Sequence, residues 1–197
     1  AVGVSLVSAA NAEAEAAEAL AGGVDNLSSA ARKEWSKYLT RMEIEASDDV
    51  KKIFYTGLYH SLLYPRKLSE RCGTYYSAVD DSFRKGPGYS CFSLWDTYRS
   101  EHPLLTILAP DRVDEMMQSL VDKYRQGTWL PIFPCWNSYT AAMIGDHATA
   151  AIGDAYVKGV RNFDIATAYE AMRKNAFTTP ATYAEYADGM GRRALTS

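Results

Sequence analysis

The chain opens on an alternating apolar run, Val2, Val4 and Leu6, and then changes period. Alternation is the mark of a strand, and a lone strand is unstable, so residues 1–8 are expected to pair with a sheet formed elsewhere. Residues 8–20 are rich in Ala and Glu and predict a helix that Gly22-Gly23 stops. Asp25 or Asn26 then caps a second helix to about Met42, with Trp35, Tyr38, Leu39 and Met42 as its apolar stripe. Ser47 and Asp48-Asp49 start a third, with acids at the positive end of its dipole. Its stripe is Ile53, Phe54, Leu58 and Leu62, and Pro65 ends it.

Residues 66–91 lose the helical spacing. Thr74-Tyr75-Tyr76 and Phe83 are strand-like and Gly86-Pro87-Gly88 is a turn, which predicts a loop excursion with a hairpin. From residue 93 the helical pattern returns. Val113, Met116, Met117, Leu120, Val121 and Tyr124 form one stripe between Pro110-Asp111 and Gly127. Trp129 to Trp136 holds two prolines and predicts an extended segment. Thr140 to Lys158 predicts a long Ala-rich helix with Met143, His147 and Ala151 on one line and Gly159 as its cap. Asp164 starts the next, with Ile165, Ala168, Tyr169 and Met172, and Pro180 through Ser197 begins another. Helices in pairs with loops between them favour helix-on-helix packing, so the chain reads as mainly α.

The 197 residues are 47% hydrophobic, enough for a globular core. With 24 acidic against 21 basic residues the net charge is -3, which excludes the basic stripe of a nucleic-acid surface. No apolar run is long enough to span a membrane. The start lacks an initiator Met and a signal-peptide pattern, so an internal piece of a larger protein is expected. Cys72, Cys91 and Cys135 fit no zinc spacing; a Cys72–Cys91 disulfide and three reduced, buried thiols are the open alternatives. Asn26-Leu27-Ser28 is a glycosylation sequon of the kind that arises by chance.

The candidate chemistry lies in Phe92-Ser93-Leu94-Trp95-Asp96-Thr97-Tyr98-Arg99 and the following His102-Pro103-Leu104. An indole stacks on the C–H face of a sugar ring, while a carboxylate and an Arg fork grip vicinal hydroxyls, so this is a polyol-recognition pattern. The competing reading is a helix start, with Ser93 or Asp96 as cap and the aromatics in the core. The enrichment in Tyr, 14 residues, suits a carbohydrate groove or a large helical core. His60, His102 and His147 form no zinc pair and read as hydrogen-bonded structural histidines. Glu13, Glu15 and Glu18 read as a solvated helix face.

Together, several blocks resemble glycoside hydrolase family 92. They are Phe92 to Leu104, Trp129 to Asn137, and Met143-Ile144-Gly145-Asp146-His147. Ile53 to His60, Asp154 to Val160 and Tyr169 to Lys174 add to them, in one order over nearly the whole chain. The family consists of calcium-dependent, inverting exo-α-mannosidases with an N-terminal β-sandwich, a helical linker and an (α/α)6 barrel. The resemblance implies that residues 1–8 are the last sandwich strand, 9–46 the linker, and 47–197 the first half of the barrel. It further implies that the catalytic base and most of the calcium shell lie outside this chain, that residues 1–197 alone are inactive, and that the protein is secreted or periplasmic. The implied partners are a mannose-containing glycan and the rest of the same enzyme, with no nucleic acid or membrane.

An inverting glycosidase needs a carboxylic acid to protonate the leaving oxygen and a carboxylate to activate water on the far face. By resemblance Asp96 binds mannose hydroxyls, Trp95 lines the subsite and Arg99 orients Asp96, a plain salt bridge being the alternative for Arg99. Trp136 and Asn137 belong to a loop entering the same cleft, core packing being the alternative for Trp136. The family's general-acid Glu falls at Tyr139, and a phenol of pKa near 10 is a poor acid toward an alkoxide. Three explanations follow. The leaving group is a phosphate that needs no proton, its second pKa being about 6. Alternatively Asp146, about two helical turns on, takes over the acid's role. Finally, the protein binds glycans without cleaving them. Hydrolysis of the mannosidase type ranks first.

Overall fold

The computed structural model describes residues 1–77, 79–135 and 143–181. The chain divides into two compact units, Ala1–Leu63 and Tyr64–Ser197.

In the first unit, residues 1–8 form no strand. A strand needs a neighbour for its backbone groups, and none of the described strands pairs with this stretch. Helix α1 runs Ala9–Leu39, with the Ser8 side chain accepting from the Asn11 N–H. It is interrupted where the sequence expects, at Gly23 (φ 70°), a left-handed value that glycine adopts without a Cβ penalty. Helix α2, Asp48–Ser61, packs on it, with the Trp35 and Tyr59 rings 4.5 Å apart. Helix α2 falls in the same compact unit as α1.

The second unit begins with short strands. β1, Arg66–Lys67, pairs antiparallel with β4, Tyr89–Ser90, while β2, Thr74–Ser77, and β3, Ser82–Lys85, form the predicted hairpin in Thr74↔Lys85 register. Gly88 lies flat against the Tyr75 ring, where a Cβ would come within 2.4 Å of it. Five helices complete the order among the described residues: α3, Leu94–Thr97; α4, Glu101–Leu108; α5, Pro110–Gly127; α6, His147–Val157; and α7, Ile165–Phe177.

Helix α5 is the centre. It touches α4, α6, α7 and β4, and its predicted stripe is the buried one, Val113, Met116, Met117, Leu120 and Val121. Leu105 and Leu108 of α4, Ala151 and Ile152 of α6, and Ala168 and Ala171 of α7 close the core. Pro110 at the first position of α5 fixes φ where an N–H has no helical partner. Lys123 is buried in the same helix, and desolvation pulls its ammonium down to about 8.

Helix α6 begins later than the sequence suggests. Residues 143–146 are not helical: Met143 and Gly145 have φ of 67° and 86°, and Asp146 precedes the first turn. Met143 is therefore off the helical line of His147 and Ala151. The C-terminus of α6 is as read: the Gly159 N–H donates to Tyr156 and the Val160 N–H to Ala155, with Gly159 at φ 92°. This is the paired closure that a left-handed glycine permits. Asp164 starts α7 by accepting from the Thr167 N–H.

Candidate functional site

The polyol cluster sits on α3 and its flanks. Phe92 and Leu94 are fully buried, and they anchor the turn so that the residues between and after them face outward. The Ser93 carbonyl accepts from the Asp96 and Thr97 N–H groups, closing one turn. The Ser93 hydroxyl donates to Asp96 Oδ2 at 2.5 Å. Arg99 lies three residues on, its guanidinium 4.0 Å from Asp96 Oδ1. Both charged side chains are more than half exposed, at 51% for Asp96 and 61% for Arg99. The Asp96 carboxylate is thus contacted by the Ser93 hydroxyl and a more distant Arg99 cation and stays half exposed. Beside it, the Trp95 Nε1–H is buried and meets no acceptor among the described residues. A buried donor left unmet costs free energy, which suits a group that acquires its partner from a ligand or from further chain.

The cluster continues into α4. The Glu101 Oε1 is buried without a partner, and burial pushes this carboxyl up to about 7. Next to it in sequence, His102 is 2% exposed and stacked against Phe92, ring centres 6.2 Å apart. Burial pulls the imidazole down to about 4, against the opposing influence of the Thr97 backbone and the Asp154 carboxylate. Neither ring nitrogen makes a hydrogen bond of ordinary geometry among the described residues. His102 is thus buried and packed on Phe92, with burial disfavouring its charged form. His147 is half-buried and stacked on Tyr98 at 4.2 Å, and His60 is exposed.

Trp136, Asn137 and Tyr139 lie outside the described residues. Their flanks do not. The Phe92 N–H donates to the Pro134 carbonyl at 2.9 Å, and the Cys91 and Cys135 sulfurs are 3.9 Å apart. On the other flank, His147 stacks on Tyr98 of the same stretch. The structure therefore brings Pro134, Cys135 and His147 beside residues 91–98. Asp146 sits just before α6, where its Oδ2 accepts from the Thr149 hydroxyl at 2.8 Å and its Oδ1 from Asn175 at 3.3 Å. These bonds tie the start of α6 to α7.

Glu101 is the residue that the sequence does not announce. An acid in the first turn of a helix ordinarily complements the dipole. Only the neighbouring Arg99 and His102, both in the cluster, hint at more. The three cysteines are thiols; Cys72 is exposed, and the sulfur beside Cys91 is that of Cys135. Among the described residues, no three His, Cys, Asp or Glu side chains gather into a metal site. These residues therefore do not by themselves fit a calcium ion, and no step is derived through one. A cavity of about 410 Å³ between α6 and α7, walled by Ile152, Tyr156, Phe163, Tyr169 and Met172, is almost wholly apolar. It offers little to a polyol, whose hydroxyls need hydrogen-bonding partners.

Among solved structures, the chain is similar to the family GH92 inverting mannosidase BT2199 from Bacteroides thetaiotaomicron VPI-5482. The match has a TM-score of 0.80 and 31% identity, and covers 95% of this chain and 26% of that one. It is also similar to the family GH92 α-mannosidase BT3965 from Bacteroides thetaiotaomicron, with a TM-score of 0.84 and 30% identity over 90% of this chain and 24% of that one. The complex of BT3965 with mannoimidazole gives a TM-score of 0.83 at 31% identity, again covering 90% of this chain and 24% of that one. The chain thus spans about a quarter of the length of these relatives. No curated protein sequence matches it. The helix-on-helix packing is part of an (α/α)6 barrel. A model of the glycosyl hydrolase family 92 catalytic domain matches residues 8–197, and the chain belongs to that family.

Proposed function

We propose that the full-length protein is an inverting exo-α-mannosidase and that Trp95, Asp96 and Arg99 form part of its mannose subsite. The observation that carries this reading is the outward-facing Asp96 carboxylate, held by the Ser93 hydroxyl, beside the unmet Trp95 N–H. In this reading Asp96 accepts hydrogen bonds from sugar hydroxyls and Arg99 keeps it oriented. Trp136 and Asn137 enter the same cleft. Residues 1–8 complete a sandwich, 9–46 link it to the barrel, and the base carboxylate and calcium ligands come from further along the polypeptide. Secretion or export to the periplasm belongs to the same reading.

Tyr139 in the general-acid position favours a leaving group that needs no proton, so a mannosyl phosphate is the preferred substrate class. Replacement of the acid by Asp146 and binding without turnover are the alternatives. Mannoimidazole, the ligand of one relative, is the direct probe. The full-length protein binds it, and Asp96→Ala weakens binding with folding unchanged. Unaltered affinity in Asp96→Ala refutes the subsite. Hydrolysis of a mannosyl phosphate runs faster than that of an alkyl mannoside, and equal rates remove the phosphate rationale. Binding with no turnover on either substrate supports the glycan-binding alternative.

A further inference from the structure

The fold brings together a cysteine pair other than Cys72 and Cys91. Cys91 and Cys135 stand 44 residues apart in sequence, yet their sulfurs are 3.9 Å apart. Their backbones are joined next to the thiols by the Phe92 N–H to Pro134 carbonyl bond of 2.9 Å. Both residues are partly buried, and Cys91 has φ 60°, a left-handed value that only a position fixed by its surroundings holds. Cys72 is exposed, in the turn before β2, with its carbonyl accepting from Lys85. A disulfide has an S–S bond of about 2.05 Å, so the sulfurs must close by roughly 1.9 Å, within reach of small side-chain rotations where the backbones are already neighbours.

We infer that Cys91 and Cys135 are a modification site: an oxidisable pair that forms a disulfide and clamps residues 91–92, at the root of the Trp95–Asp96 cluster, to residues 134–135. The oxidant is a small disulfide of the glutathione type or an enzyme of that class. One protein thiolate attacks it, a glutathione thiolate leaves, and a mixed disulfide forms. The second protein thiolate attacks the protein sulfur of that bond, the protein disulfide closes and a second glutathione leaves. Two protein thiols are oxidised, one glutathione disulfide is reduced to two thiols, and the protons pass to those products. The link does not depend on the mannosidase reading. Its consequence does: it ties together the two segments assigned to the sugar subsite.

The test is peptide mapping of the full-length protein equilibrated in reduced and oxidised glutathione, quenched with acid and alkylated. The expected result is a Cys91–Cys135 linked peptide on oxidation, with two hydrogens lost, while Cys72 is alkylated in both states. Cys72→Ser retains the link, and Cys91→Ser and Cys135→Ser each abolish it. The wild-type map stands alone if a variant fails to fold. Full alkylation of Cys91 and Cys135 after oxidation overturns the inference. So do glutathione adducts without linkage, and a link from either residue to any other cysteine.

Discussion

Asp96 is positioned before a ligand arrives, because the Ser93 hydroxyl and the backbone turn fix it from the same side of α3. A hydrogen bond to a charged group is worth about 1.5–3 kcal/mol, so Asp96→Ala is expected to lower kcat/KM on mannosides by roughly 10- to 100-fold. Arg99 is exposed and 4.0 Å away, and Arg99→Met is expected to cost at most about 1 kcal/mol, read as a smaller rise in KM. Glu101 and His102 act in opposite directions on stability. The Glu101 carboxyl is raised from 4.5 to about 7 on folding, so the folded state holds its proton longer and loses that stabilisation as pH rises from about 4.5 to 7. Glu101→Gln is expected to remove that loss, seen as a flatter thermal midpoint over that window. The His102 imidazole falls from 6.5 to about 4, so its stabilisation is full above pH 6.5 and is lost as pH falls through 4. A His102→Phe variant is expected to lose stability less steeply than the parent on acidification, by the same measurement. Trp95, Asp96 and Arg99 are candidates from sequence because their residue types and spacing suit polyol binding. The burial of Glu101 and His102 is not, since it depends on where α4 meets α5 and α6.

Elements with strong local signals form as read. The stripe of α5, the caps of α6 and α7 and the break at Gly23 follow from residues within a few positions of each other. The start of α6 does not. Composition favours helix from Thr140, yet positive φ at Met143 and Gly145 holds residues 143–146 out of helix. At Gly145 a Cβ would come within 2.5 Å of the His147 ring, at a φ that side chains rarely adopt. Gly145→Ala is therefore expected to destabilise the protein by roughly 1–3 kcal/mol and to displace His147 from Tyr98. Chemical denaturation reads the first effect, and the imidazole proton shifts read the second. The strand expected at residues 1–8 needs a partner strand, which alternation alone cannot supply.

At the scale of the molecule, the apolar surface is extensive. Ile107, Val157, Tyr169 and Phe177 are each more than 60% exposed, and α6 and α7 flank an apolar cavity. Exposed apolar surface of this extent marks a contact surface. Residues 1–197 expressed alone are expected to bind a hydrophobic dye and to release no mannose, whereas the full-length protein does the reverse. The mainly helical class and the hairpin excursion were legible because periodicity is local. Which distant helices complete the cleft is not encoded in any local window.

The most direct test of the central claim is proton NMR of the first-formed sugar when the full-length protein acts on an α-mannoside or α-mannosyl phosphate. β-Mannose is expected first, with its formation lost or strongly slowed in Asp96→Ala. Initial release of α-mannose, or undiminished release by Asp96→Ala, would contradict it.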